Sequence, residues 1–238
     1  MIKSVQSMPV FQRIWQSFMS ALGSIVFGME DGTVSIFGLV FGVAASASSS
    51  QIVLLAGATG AVSAAVSMMA GTYLDVSTER DRAQAAIANE QREIGQKPEE
   101  EAQEVRDRLV QAGLSQKDAE TVLTIIQRTP GAMLKGEIAF ELGKSADQNP
   151  WVQSIWMFIA DLFAAFVPVV PFAFLPLGSA RTLSLIVTML LLLLLGVGRG
   201  IIGHKNVVVT ALQTLAIAAA AGAAGLLVGS LIGGQISG

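Results

Sequence analysis

Apolar residues in this chain do not alternate with polar ones; they gather in five long blocks, at residues 20–47, 52–74, 151–175, 182–202 and 207–232. A helix needs about 20 such residues to cross a bilayer, and each block supplies them. Residues 48–51 leave room only for a tight turn between the first two blocks. Ahead of them, residues 1–19 carry Val5, Met8, Phe11, Ile14, Trp15 and Phe18 at helical spacing. That pattern fits an amphipathic helix in the membrane interface, or simply the entry to the first span. Pro168, Pro171 and Pro176 predict a kink or break in the third block, tolerated where neighbours re-satisfy the backbone. Gly225, Gly229 and Gly233 recur every four residues in the fifth block, as Gly28 and Gly32 do in the first. Such faces let two backbones approach closely.

Between the second and third blocks the pattern changes to that of soluble helices. A first helix is expected to leave the second span through Asp75 towards Glu93, where Gly95 and Pro98 interrupt it. A second starts near Pro98, a favourable first-turn residue, and ends at Gly113. Ser115 followed by Asp118 is a capping-box start for a third, and Pro130 opens a further helical turn pattern through Leu142 and Gly143. The expected fold is all-α. An amphipathic segment (1–19) leads into two spans (20–74), a helical insert (75–148) and three more spans (149–238).

Charge sharpens this division. Only 14% of residues are charged, against about 25% in ordinary globular chains, and 25 of the 33 charged side chains lie between Asp75 and Asp147. Basic residues cluster before the first span (Lys3, Arg13), in the insert, and between the fourth and fifth spans (Arg199, Lys205), whereas the other side receives only Arg181. The positive-inside rule therefore places the N-terminus and the insert in the cytoplasm. There is no cysteine, and His204 is the single histidine, which rules out disulfides, thiolate sites and an imidazole cluster within one chain. No basic, aromatic-interleaved stripe suggests nucleic acid. Di-iron enzyme sites normally add a Glu-x-x-His pair on two helices, so no enzyme is expected.

Carboxylates remain. Glu90 and Glu93 form one pair, Glu101 and Glu104 a second, eleven residues on. On one continuous helix, at about 100° per residue, all four would share an arc of roughly 80°. A stripe of that kind is either a solvated acidic face or an oxygen-donor site for a hard divalent cation. Glu137 and Glu141 lie nearby in sequence. Glu30, Asp31 and Asp161 stand inside apolar blocks, where a charge costs ~3 kcal/mol on insertion scales and marks a functional site by default. Met68 and Met69 lie inside the second block, as packing or as soft thioether donors beside a carboxylate.

Several stretches together resemble the vacuolar iron transporter family: EDGTVSIFGLVFGVAA (30–45), VSMMAGTYLDVSTERD (66–81), ANEQREIGQKPEEEAQE (88–104), AFELGKS (139–145) and VPVVPF (167–172). The resemblance implies a dimer of five-span subunits, with a cytoplasmic metal-binding domain between the second and third spans. It also implies exchange of Fe²⁺, with Mn²⁺ as a further candidate, against protons. Glu90, Glu93, Glu101, Glu104 and Glu141 fall on the family's domain ligands, and Asp31 and Met68 on its membrane path. Glu137 takes a place held by methionine in plant-type members. Gly60 stands where the family usually has a glutamate, a departure that bears on proton coupling, and Asp161 is the candidate to replace it. A membrane-bound iron sensor or buffer without transport is the alternative reading.

Overall fold

A computed structural model describes residues 9–129, 131–132 and 148–236. All regular structure among these residues is helical: α1 (Val10–Ser20), α2 (Leu22–Ser46), α3 (Ser50–Gln96), α4 (Pro98–Gln111), α5 (Gln116–Arg128), α6 (Pro150–Phe166), α7 (Pro171–Phe174), α8 (Leu177–Ile202) and α9 (Val207–Ile236). Four of them, α2, α3, α8 and α9, are long and apolar enough to cross a membrane, and α6 is a shorter apolar helix. The chain divides into two compact units, Met1–Tyr73 with Pro150–Gly238, and Leu74–Asn149.

In the first unit α2 is the central helix, and small residues set its neighbours. A Cβ at Gly225 or Gly229 of α9 would collide with the backbone of Gly38 or Gly42 of α2, so the two helices touch main chain to main chain. Gly28 and Gly32 do the same for α6, where Met157 and Asp161 fill the space a methyl would need. The third apolar block is broken, as its prolines predict. α6 ends at Phe166, and a turn leads to α7, which begins at Pro171. Ser184 Oγ donates to the freed Pro168 carbonyl (2.7 Å), and Ser50 Oγ to that of Leu175 (2.8 Å). Both bonds satisfy backbone groups that hydrocarbon could not.

Of the amphipathic segment, the described part forms a helix of its own, α1, since Ala21 breaks it from α2. Gln153 of α6 stitches that break, donating to the Ser20 carbonyl (3.0 Å) and accepting from Ser24 (2.8 Å). Val10, Phe11, Ile14 and Trp15 remain exposed on α1. Large apolar side chains also point outward along the long helices, among them Leu55, Phe163, Leu212 and Leu231. Patches of that extent are not left facing water. The protein is an integral membrane protein.

In the second unit the Pro98 and Gly113 signals operate as read, whereas α3 runs through Gly95 to Gln96 and Pro130 lies outside the described residues. Lys97, before Pro98, adopts φ −136°, ψ 56°, because proline's ring disfavours the helical conformation in the preceding residue. Gly113 takes φ +103°; its N–H bonds the Val110 carbonyl (3.0 Å) and that of Leu114 the Leu109 carbonyl (3.1 Å), a Schellman ending to α4. Ser115 then caps α5 by accepting from the Asp118 N–H (3.2 Å). Val105, Leu109 and Ala119 bury themselves between α4 and α5.

Candidate metal sites

The insert's carboxylates meet at the α3–α4 corner. Glu90 and Glu93 end α3, Glu101 opens α4, and one oxygen from each lies within 4.8 Å of the others. The single stripe expected along a continuous helix is replaced by a cluster across a bend, because Pro98 ends α3 at Gln96. Glu101 is buried, with 8% of its surface exposed. Glu104 does not join: it accepts from Arg108 at 2.7 Å along α4. Lys97, in the corner, bonds Glu100 (2.7 Å), and this bond, with the charges of Glu100, Glu93 and Glu101, holds its ammonium above the usual lysine range. Three oxygens from separate carboxylates at this spacing can surround one hard cation. Glu137 and Glu141 lie outside the described residues.

A second group of charges lies in the membrane-spanning unit. Glu30 of α2 is 12% exposed, and each of its oxygens has a donor on a different helix: Arg199 Nη1 of α8 at 2.9 Å, and Thr214 Oγ1 of α9 at 2.9 Å. These three residues and Asp31 line a cavity of about 170 Å³ together with Phe27, Val34 and Ile217. Asp31 is half-buried. The sequence singled out Glu30 and Arg199 separately but not as partners. The available signal was an acid stranded in the first apolar block, which needs a counter-charge, and a base at the end of the fourth.

Asp161 of α6 is fully buried, and neither carboxylate oxygen has a hydrogen-bond partner. It packs against Gly32, next to Asp31, near enough to interact with that charge. It does not stand at Gly60, where a Cβ would meet Leu39 (3.1 Å) and Ile36 (3.4 Å) instead. Met68 is half-buried on α3, eight residues and therefore about 12 Å along the helix from Gly60.

A family model described as the VIT family matches residues 22–230, which includes both groups of carboxylates. The chain belongs to the VIT family. Among its relatives, "Vacuolar iron transporter 1" of Eucalyptus grandis is 34% identical over 203 residues, covering 84% of this chain and 82% of that one. "Vacuolar iron transporter 1" of Arabidopsis thaliana is 31% identical over 211 residues, covering 87% and 84%. "Protein CCC1" of Saccharomyces cerevisiae is 26% identical over 181 residues, covering 74% and 56%. Within this VIT-family chain, the corner glutamates and the Glu30–Asp31 cavity are therefore both part of the family-matched sequence.

Proposed function

We propose that this protein is a membrane iron transporter that moves Fe²⁺, with Mn²⁺ as a second cargo, out of the cytoplasm in exchange for protons. The observation that carries the reading is the oxygen cluster of Glu90, Glu93 and Glu101, in a chain whose relatives are named vacuolar iron transporters. In this reading the five apolar blocks form a five-helix bundle, and the insert is a cytoplasmic domain that collects metal. Glu104, Glu137 and Glu141 contribute to the collection around the three clustered glutamates. Asp31 and Met68 pass the ion through the membrane, and Asp161 carries the proton. A carboxylate that binds cation and proton alternately couples the two flows by competition.

The subunit acts as a homodimer in this scheme. Ser35 on α2 and Ser63 and Ser67 on α3 are exposed at membrane depth, and a second copy would shield them from lipid. An iron-binding sensor or buffer is the second reading. Gly60 favours it, because the carboxylate expected there from the family resemblance is missing and Leu39 and Ile36 border the position.

Flux into sealed vesicles separates the two. Purified protein in liposomes should carry Fe²⁺ across the membrane, faster with an opposing proton gradient. Metal binding without flux would establish the sensor reading instead.

A further inference from the structure

Glu30 and Asp31 are adjacent carboxylates lining one cavity, yet the fold treats them differently. Glu30 is saturated: Arg199 and Thr214, from two other helices, each hold one of its oxygens at 2.9 Å. The Asp31 carboxylate accepts no side-chain hydrogen bond from the described residues; the two donors in the cavity go to Glu30. Arg199 reaches Glu30 from the last turn of α8, and Thr214 sits seven residues into α9, about 10 Å from that helix's start. Arg199 is 37% exposed near its helix end, whereas Glu30, 12% exposed within an apolar helix, needs a counter-charge and finds it there. The pair also fixes the cavity's charge. With Arg199 in place, Glu30, Asp31 and Arg199 sum to one negative charge; without it they would sum to two.

We propose that Arg199 sets the metal affinity of this cavity: by neutralising Glu30 it leaves Asp31 as the single uncompensated carboxylate among the residues that line it and face a divalent cation. One carboxylate holds such an ion loosely enough to release it, which a transport path requires. Two would hold it tightly and slow its departure. The inference rests on Asp31 as a path residue, but its test does not depend on flux. Removing a unit charge a few ångströms from a divalent ion in a partly desolvated cavity changes its affinity by at least about tenfold.

The test is equilibrium Mn²⁺ binding to the full-length protein in detergent. The background carries glutamine at positions 90, 93, 101, 104, 137 and 141, so that the insert contributes little. Arg199→Gln should tighten binding at least about tenfold, whereas Arg199→Lys, which keeps the charge, should stay within about threefold of the parent. Glu30→Gln should do the opposite, since it frees the Arg199 cation beside Asp31, and should weaken binding at least about tenfold. The Glu30→Gln/Arg199→Gln pair should return near the parent value. A purely structural role for the ion pair would lower the yield of folded protein in both single variants without moving affinity in opposite directions. Equal affinities in the parent, Arg199→Gln and Glu30→Gln proteins would overturn the proposal, as would an absence of binding in all of them. If Arg199→Gln does not fold, the Glu30→Gln result decides alone. Flux measured on the wild type judges the transport reading separately.

Discussion

Asp161 shows how much one residue's surroundings can say. A buried carboxylate normally has donors on both oxygens, because an unpaired one costs several kcal/mol. Asp161 has none, although its backbone and side chain press on Gly32 closely enough to exclude any residue with a Cβ there. The fold has thus made room for a group it does not itself stabilise, next to Asp31. A proton or a passing cation would complete it. Asp161→Asn keeps the shape and removes the exchangeable charge. Its expected outcome is weaker dependence of metal flux on an imposed pH gradient, with folded yield retained. Unchanged pH-driven flux would leave Asp161 outside the mechanism. The sequence displayed this residue as a charge in an apolar block but not its neighbour. The family resemblance offers Asp161 as a substitute for the second-span glutamate, whereas packing sets it against Gly32 rather than Gly60. Gly28 and Gly32 on α2 mesh with Met157 and Asp161 on α6, two pairs both spaced by four.

At the scale of elements, the α3–α4 corner decides which glutamates act together. The spacing of Glu90, Glu93, Glu101 and Glu104 suggested one stripe, and the order of the residues was informative even though the stripe was not. Pro98 was visible as an interruption. The bend it makes was not, since it depends on the dihedral angles of Lys97 and on α4 packing against α5. The bend brings Glu101 towards α3 and leaves Glu104 one turn further on, paired with Arg108. That distinction predicts different variants. Glu90→Gln, Glu93→Gln and Glu101→Gln should each weaken Mn²⁺ binding by the full-length protein about tenfold or more, as loss of one of three charged ligands requires. Glu104→Gln should change it by less than about threefold, because Glu104 is exposed and turned to Arg108 rather than to the cluster. Calorimetry on the four proteins is the measurement, and equal losses would restore the four-ligand stripe. Capping was the most legible level of all. Ser115, Gly113 and Pro98 occupy the positions their chemistry assigns, because each requirement is local.

For the whole molecule, the pattern of apolar blocks gave the helical, membrane-embedded character directly, since a bilayer demands long helices that satisfy their own backbone. What it could not give is the pairing of residues far apart in sequence. Glu30 and Arg199 are separated by 169 positions, and only the packing of α2 against α8 and α9 joins them. In the proposed reading the molecule offers a cation two candidate places, one in each compact unit, and they differ in redundancy. At the corner of the insert three carboxylates would share the ion, and others lie near in sequence. In the membrane cavity Glu30 is already committed to Arg199 and Thr214, so Asp31 stands without a substitute among the residues lining it. Loss of one insert glutamate should therefore reduce the capture of metal, whereas loss of Asp31 should stop its passage. Asp31→Ala should abolish Fe²⁺ flux into liposomes, by at least about 100-fold if its charge supplies even 3 kcal/mol of stabilisation along the path. Mn²⁺ binding by the same purified protein should persist, because the insert is intact. The paired measurement distinguishes a blocked path from a misfolded protein, which would lose both. An Asp31→Ala protein with normal flux would reduce Asp31 to a bystander of the Glu30–Arg199 pair and move the path elsewhere in the bundle.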